Sequence, residues 1–149
     1  MSLKATITDV GMRAINTLHR GVLAATGGRL GSRLGTMDVV ELHTIGRTSG
    51  RRRTTMLTTP ISDAEKLVLV ASKGGSDSHP AWYLNLRSNP EVEVTVSGET
   101  RKMRARTASP EEKDELWPRI VGAYPGYARY QRKTGRDIPV VICEPRDAD

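Results

Sequence analysis

The stretch A-S-K-G-G-S-D-S-H-P-A-W-Y-L-N-L-R-S-N-P at residues 71–90 connects two regular elements, and the rest of the chain is arranged around it. It follows the apolar run K-L-V-L-V at residues 66–70, whose length and β-branched content predict a buried strand. Pro80 suits the first position of a helix because its missing N–H group would have no partner there. Asn89 and Pro90 end that helix, so we predict a strand, a glycine-containing turn and a short helix.

The turn inside this stretch is compatible with two roles. Gly74 and Gly75 allow backbone N–H groups to approach a ligand without an intervening Cβ atom, and the free N–H groups at a helix start attract anions. The same residues are also typical of a tight strand-to-helix connection that binds nothing. Taken alone, the turn leaves both roles open.

The composition indicates one intracellular domain. A chain of 149 residues is long enough to bury a core, and its single cysteine, Cys143, excludes an internal disulfide and fits a reducing cytosol. The histidines His19, His43 and His79 lie far apart without metal-ligand spacing, so we predict no metal site. No segment approaches the roughly 20 apolar residues of a membrane span, and the first residues lack a signal-peptide pattern. We therefore expect a cytoplasmic protein.

The positive charge is concentrated in the first part of the chain. The formal net charge is +6; residues 1–58 contain nine Lys or Arg and three Asp or Glu, whereas residues 59–149 contain fourteen of each kind. This asymmetry predicts an anionic partner for the first part, and nucleic acid, a lipid surface and an acidic small molecule all qualify.

The first residues predict an amphipathic helix. Between residues 7 and 25 apolar side chains recur at spacings of three or four, and Gly27 and Gly28 end the pattern. The helix either packs on its own domain or, as its basic residues allow, rests on the inner face of a membrane. We expect residues 1–35 to form this helix and a linker, and residues 36–149 to form the main domain.

The main domain is predicted to be mainly β. Six segments have the composition or the alternation of strands, at residues 38–45, 53–60, 66–71, 91–96, 100–107 and 139–143. A capping box, S-P-E-E at residues 109–112, begins a helix that extends to about Val121, and the segment after Tyr124 begins another that ends near Lys133. Few short helices and mostly hairpin connections indicate a small antiparallel barrel with packed helices.

Two further features point towards a binding site. The hairpin turn between the first two strands carries four arginines at or beside it, Arg47, Arg51, Arg52 and Arg53. Phe is absent, and all six aromatic residues lie between Trp82 and Tyr130, so we expect Val, Leu, Ile and Ala to fill the core and the aromatic residues to line another surface.

Six motifs, in order and with matching spacing, resemble the deazaflavin-dependent nitroreductase family. They are G-R-T-S-G-x-x-R at residues 46–53, A-S-K-G-G at 71–75, H-P-A-W-Y-L-N-L at 79–86, N-P-x-V at 89–92, A-Y-P-G-Y at 123–127 and I-P-V-V at 138–141. The resemblance implies a split β-barrel of the flavin-reductase and pyridoxamine-phosphate-oxidase type that binds coenzyme F420, a deazaflavin with a phosphate and an oligoglutamate tail. It also implies hydride transfer from the reduced coenzyme to quinones, nitroaromatics or activated alkenes.

The resemblance assigns site residues by position. The implied cofactor-binding residues are Arg47, Ser49, Arg53, Met56, Leu57, Ala71, Ser72, Lys73, Gly74, Gly75, Pro80, Trp82, Tyr83, Asn85 and Leu86. The implied acceptor-side residues are Tyr124, Tyr127 and Tyr130, with Ser72 as a further hydrogen-bond donor; they would stack on a flat acceptor or supply a proton. A purely structural role for the tyrosines, packing a helix on the barrel, stays open.

Departures from the family pattern separate cofactor binding from substrate choice. Thr48 stands where many relatives have Lys, and Thr58 stands where the nitroimidazole-activating members have Tyr, which implies a wider acceptor pocket. Reduction of nitroaromatics is therefore less firmly implied than binding of F420. Two alternatives are a barrel that binds FMN and a basic nucleic-acid-binding barrel, although the aromatic residues do not interleave with the arginines as nucleic-acid stacking requires. The oligomeric state is left open, with a homodimer as one candidate.

Overall fold

The computed structural model describes residues 33–34 and 37–146 of the chain. The predicted helix at residues 7–25 lies outside the described residues, as does most of the predicted linker. Within that linker, Arg33 and Leu34 form a two-residue strand that pairs with the start of the following strand. The division of the chain at residue 35 stays a prediction.

The described part of the chain contains strands, three α-helices and one 3₁₀ turn at Lys73–Gly75. The strands are β1 (Arg33–Leu34), β2 (Met37–Ile45), β3 (Arg52–Thr59), β4 (Ile61–Ser62), β5 (Leu67–Val70), β6 (Glu91–Val96), β7 (Glu99–Thr107) and β8 (Val140–Pro145). The α-helices are α1 (Ala81–Ser88), α2 (Pro110–Ala123) and α3 (Gly126–Lys133).

The strands form one antiparallel sheet. Strands β2, β6, β7, β8, β5 and β4 follow one another across it, while β1 and β3 both pair with β2. At the end of β3, the Thr59 hydroxyl donates to the carbonyls of Ile61, 2.8 Å away, and Val68, 2.6 Å away. Because this buried side chain joins β3 to β5 at the far side of the sheet, the sheet curls into a barrel, and the prediction of a mainly β barrel is confirmed.

Two apolar clusters lie on opposite faces of β5 and β8. The first contains Leu67 and Leu69 together with the buried face of α1, and the second contains Val68 and Val70 together with α2 and α3. A strand covered on both faces has no polar side to alternate with its apolar one, which explains the continuous apolar sequences of β5 and of residues 140–143 in β8.

The capping box predicted for α2 is confirmed. The Ser109 hydroxyl accepts a hydrogen bond from the Glu112 N–H, and the Glu112 carboxylate accepts one from the Ser109 N–H. The Arg106 guanidinium, which also contacts Glu112, holds the pKa of that carboxyl well below its usual range, to about 2. The start of α2 is therefore determined by local sequence.

Three details of the sequence prediction are wrong. Pro80 is the residue before α1 rather than its first member, because its ψ of 152° is extended and the helix begins at Ala81. Ile61 and Ser62 form a short strand that the sequence did not predict, because two residues are too few to show alternation. Trp82 and Tyr83 belong to the first core cluster, so aromatic residues do help to fill the interior.

Candidate functional site

The loop between β5 and α1 has an unusual backbone. Lys73, Gly74 and Gly75 have successive φ values of 46°, 63° and 82°. Glycine adopts positive φ without steric cost, whereas a lysine there is uncommon and requires surrounding contacts to hold it. A strained residue of this kind is frequent at binding sites, and here it presents the one ammonium group of the A-S-K-G-G motif.

This loop packs directly on helix α3, which carries the tyrosines. A Cβ atom added to Gly75 would lie 3.1 Å from the Cα and the carbonyl oxygen of Tyr130 and 3.0 Å from the Cδ of Lys133. The Lys133 ammonium also donates to the Gly74 carbonyl at 3.4 Å. The structure therefore brings the A-S-K-G-G motif against helix α3, whose Tyr130 and Lys133 lie more than 50 positions later in the sequence.

Arg136 holds the carbonyl side of the same loop. Its guanidinium donates to the carbonyls of Ser76 at 2.7 Å, Ser72 at 2.9 Å and Ala71 at 3.1 Å, and to His79 Nδ1 at 3.1 Å. Sequence patterns did not reveal this residue because its partners lie 57 to 65 positions earlier in the chain. Burial, followed by the charges of Arg136 and Arg87, lowers the pKa of His79, which keeps the ring neutral and able to accept this hydrogen bond.

The arginine-bearing turn is held by α1. The side-chain oxygen of Asn85 accepts hydrogen bonds from the Arg47 N–H at 3.1 Å and from Arg47 Nη1 at 2.9 Å. The Asn85 amide nitrogen donates to the Thr44 hydroxyl at 3.4 Å. Asn85 is buried, so its polar atoms are satisfied by the turn itself, and it positions Arg47 rather than presenting a free amide.

The cationic charge of this turn is largely uncompensated. Arg52 pairs with Glu93 at 3.3 Å, but Arg47, Arg51 and Arg53 have no carboxylate partner among the described residues. Gly46 leaves room for the side chains above it, since a Cβ atom there would lie 2.6 Å from Ser49 Oγ and 3.5 Å from Arg53 Nε. Exposed guanidinium groups without partners attract phosphate and carboxylate groups, which they bind in bidentate geometry.

The three tyrosines form one cluster. The rings of Tyr124, Tyr127 and Tyr130 contact one another with centroids 5.1 to 6.3 Å apart, and the hydroxyls of Tyr124 and Tyr130 are 3.2 Å apart. The hydroxyl of buried Tyr127 lies 3.3 Å from the Thr58 hydroxyl on β3. Thr58, singled out as a departure from the family pattern, is thus in contact with this tyrosine cluster.

The hydroxyls of Tyr127 and Tyr130 remain protonated at neutral pH. Partial burial, together with the hydrogen bond to Tyr124, raises the pKa of Tyr130 to about 12. Burial also raises the pKa of Tyr127 above its ordinary value, despite the hydrogen bond from Thr58. Both groups are therefore hydrogen-bonding hydroxyls rather than phenolate bases, and the Tyr127 hydroxyl donates to Met37 Sδ at 3.7 Å.

The other residues assigned by resemblance lie in the loop, on β3 or in the core. Ala71, Ser72, Gly74 and Pro80 line the loop itself, and Leu57 lies half-buried on β3 against the first core cluster. The side chains of Met56, Trp82, Tyr83 and Leu86 are each no more than 6% exposed. The Tyr83 hydroxyl is 2.8 Å from the Thr107 hydroxyl on β7, so the aromatic pair anchors α1 to the sheet.

Other site types receive no support from the described residues. No group of three His, Cys, Asp or Glu side chains among them is arranged to hold a metal ion. Of the helices described, none is long and apolar enough to cross a bilayer.

A family model described as F420H(2)-dependent quinone reductase matches residues 16–145. The chain belongs to the F420H(2)-dependent quinone reductase family. An F420H(2)-dependent quinone reductase of Mycobacterium tuberculosis is 38% identical over 130 residues, which cover 84% of this chain and 86% of that protein. The resemblance drawn from the six motifs is therefore confirmed.

Solved structures agree with membership of the quinone reductase family. One described as an F420-H2 dependent reductase (FDR-A) has 41% sequence identity and a TM-score of 0.65, covering 71% of this chain and 93% of that chain. Another, described as a domain-swapped dimer, has the same identity and TM-score and covers 71% of this chain and 79% of its own. The split-barrel fold is thereby confirmed.

Proposed function

We propose that this protein is a reductase that transfers a hydride from reduced coenzyme F420 to a quinone. Family membership supports the reaction class, and one observation carries the assignment of the site. The Lys73–Gly75 turn packs directly on the helix that bears Tyr127 and Tyr130. A cofactor held by the turn would therefore lie beside the residues proposed to face the acceptor.

The described residues fit the anionic parts of the coenzyme. A phosphate and an oligoglutamate tail require several cations that no carboxylate neutralises, and among the described residues Arg47, Arg51 and Arg53 meet this requirement. We assign the tail to this turn, with Ser49 as a neutral hydrogen-bonding group beside Arg53. Lys73, which reaches the Ser78 hydroxyl at 3.2 Å, adds a cation on the other side of the site. Asn85 orients Arg47 for the same task.

The remaining assigned residues surround the ring. We place it along the backbone of Met56 and Leu57 on β3 and of Ala71 to Gly75, where Gly74 and Gly75 add no side chain. Trp82, Tyr83 and Leu86 support α1 from the core, and Pro80 directly precedes it. When bound, the reduced coenzyme supplies the hydride, and the protein binds, orients and shields it from water.

The tyrosine cluster serves the acceptor. A quinone that receives a hydride on its ring system also needs a proton on an oxygen, and a protonated tyrosine hydroxyl is suited to donate a hydrogen bond there. Tyr124 and Tyr130 are half-buried and pair through their hydroxyls, while Tyr127 is held by Thr58. The partly exposed aromatic rings of Tyr124 and Tyr130 favour a planar acceptor. Ser72 is an additional donor on the loop side.

The Tyr127 hydroxyl can be tested without disturbing its packing. We expect Tyr127→Phe to lower kcat by about tenfold, the size of a positioned hydrogen bond, while the dissociation constant for F420 stays within about twofold. Steady-state kinetics with reduced F420 and a soluble quinone, together with a fluorescence titration of F420, measure the two quantities. An unchanged kcat would remove Tyr127 from the acceptor site.

The proposed function is tested by titrating the purified protein with F420 and with FMN, followed by turnover on a panel of acceptors. We expect F420 to bind and reduced F420 to be oxidised by quinones faster than by nitroaromatics or enones. Binding of FMN with no binding of F420 would favour the alternative cofactor instead. A gel shift of nucleic acid at low salt would support the alternative of a nucleic-acid-binding barrel.

We also propose a homodimer and a peripheral contact with the inner face of the membrane. A solved relative described as a domain-swapped dimer supports the first, and the basic excess of residues 1–58 supports attraction of that part to anionic lipid. Light scattering measures the mass, and a monomer at micromolar concentration would oppose the dimer. Flotation with phosphatidylglycerol vesicles tests the contact, which we expect to weaken as salt rises.

A further inference from the structure

The guanidinium of Arg136 makes four hydrogen bonds from its three nitrogen atoms. Nε donates to the Ser76 carbonyl, Nη1 to His79 Nδ1, and Nη2 to the carbonyls of both Ala71 and Ser72. A guanidinium has five N–H donors in a fixed planar fork, so almost its whole donor capacity is directed at one loop. The side chain is half-buried, and burial lowers its pKa without removing its charge at physiological pH.

Binding these carbonyls determines the direction of the neighbouring amides. In a planar trans peptide the C=O and the following N–H point in opposite directions. The N–H groups of Ser72 and Lys73 belong to the peptide units whose carbonyls Arg136 holds, so both are directed away from the guanidinium. Gly75 N–H donates back to the Ser72 carbonyl at 2.9 Å, which closes the turn around them.

The segment that carries Arg136 is itself attached to the tyrosine helix. Gln131, on α3, donates to the Arg136 carbonyl at 2.8 Å and accepts from the Ile138 N–H at 3.0 Å. The Thr134 hydroxyl donates to the Asp77 carboxylate at 2.7 Å. The loop, Arg136 and α3 are thus joined by side-chain hydrogen bonds on both sides of the guanidinium.

We propose that Arg136 is a positioning residue that orients the Ser72 and Lys73 amides for the cofactor and holds this loop at a set distance from the tyrosine helix. The proposal rests on the proposed function, because it assumes that the loop binds F420. It adds a residue outside the six family motifs and gives it a role that depends on geometry rather than charge. Arg136 acts through the loop and through α3, and no contact between it and the cofactor is invoked.

The variant Arg136→Lys separates geometry from charge. Lysine keeps the positive charge but offers three donors at a single point, which cannot reach four acceptors spread around a planar fork. We expect the dissociation constant for F420 to rise about tenfold, the size expected when several hydrogen bonds to a charged group are lost but the fold is kept. The matched control is Arg132→Lys, an exposed position on α3, which we expect to leave the affinity unchanged.

A second readout follows the loop itself. Hydrogen exchange of the amides at residues 72–76 in the free protein should accelerate in Arg136→Lys and not in Arg132→Lys, while exchange in β5 and β8 stays as in the wild type. With saturating F420, kcat should also fall, because the loop no longer sits at its set distance from Tyr127 and Tyr130. If Arg136→Lys instead lowered only the global stability, exchange would not accelerate selectively at residues 72–76, and the proposal would be overturned.

The pH dependence provides an independent readout through His79. Nδ1 of this ring accepts from Arg136, and the other groups facing it are the Tyr83 ring, 5.0 Å away between centroids, and the charge of Arg87. The pKa of His79 is below its ordinary 6.5 while the ring accepts from Arg136, so the ring binds a proton more tightly once this hydrogen bond is broken. The hydrogen-bonded form of the loop therefore loses stability as pH falls below about 6.5. We expect affinity for F420 to fall more steeply between pH 7.5 and 5.5 in the wild type than in His79→Gln, whose amide oxygen accepts without titrating.

The outcomes distinguish this proposal from the proposed function. If the wild type does not bind F420, the proposed function fails, and exchange at residues 72–76 still decides whether Arg136 orders the loop. If the wild type binds F420 and Arg136→Lys binds it equally well, the proposed function stands and the role of Arg136 is refuted. Identical pH profiles for the wild type and His79→Gln would likewise contradict the coupling of the ring to the loop.

Discussion

Gly75→Ala is expected to destabilise the protein by about 3 kcal/mol and to abolish measurable binding of F420. The left-handed φ of 82° costs a residue with a side chain about 1–2 kcal/mol, and overpacking adds about 1–3 kcal/mol. The added Cβ atom would lie 3.1 Å from the backbone of Tyr130, within α3, where atoms cannot rotate away as a flexible side chain does. Urea denaturation measures the first effect and a fluorescence titration the second.

The control for this substitution is Gly98→Ala in the turn between β6 and β7. Gly98 has the same φ of 82°, and nothing lies within 4 Å of a Cβ atom built on it. Gly98→Ala should therefore lower the free energy of unfolding only by the conformational cost, about 1–2 kcal/mol, and the variant should keep its affinity for F420. Equal losses in the two variants would mean that the contact between the loop and the tyrosine helix contributes nothing, against the site proposed here.

Arg53→Ala is expected to weaken binding of F420 by about thirtyfold, which corresponds to about 2 kcal/mol for a charge-assisted hydrogen bond to an anionic group. Arg53 has no carboxylate partner among the described residues and lies beside Ser49 over Gly46, so its removal should leave the fold intact. The affinity of the wild type should fall with rising salt, and that of the variant should fall less. Titration of F420 at two salt concentrations measures both effects.

A second arginine provides the comparison for that result. Arg104 on β7 is also exposed and pairs with Glu91 at 3.8 Å, outside the proposed site. Arg104→Ala removes the same charge and should change the affinity by less than about twofold, as expected for an exposed ion pair. If the two variants weakened binding equally, the effect would be one of net charge, and the assignment of the tail to the arginine-bearing turn would be refuted.

Much of the fold was predictable because its signals are local. Alternation and β-branched content located both ends of β2, β3, β6 and β7 to within one residue, and the capping box located the start of α2. Strands β1 and β4 escaped prediction, since two residues carry no period and their pairing depends on strands elsewhere in the sheet. The burial of Trp82 and Tyr83 also followed from where α1 packs, which composition does not reveal.

The candidate site was likewise predictable only where its residues carry a local sequence signal. The motifs located the arginine-bearing turn, the A-S-K-G-G loop and the tyrosines, because each is a short run of unusual residues. The role of Asn85 depends on a turn nearly 40 positions earlier, and Arg136 contacts carbonyls about 60 positions earlier. Such contacts leave no local pattern, since the guanidinium binds backbone atoms that every residue type possesses.

The stretch at residues 71–90 shows this division most directly. Its residues alone predicted that a strand ends, that a glycine-containing turn follows, and that a short helix comes next. Whether the turn binds anything was left undecided by those residues. The tertiary structure determined the orientation of the turn. Arg136 binds its carbonyl groups, and α3 packs against Gly75 with no room for a side chain. The reason is physical, because the orientation of a peptide group depends on the partner that binds it, and here both partners come from the far end of the chain.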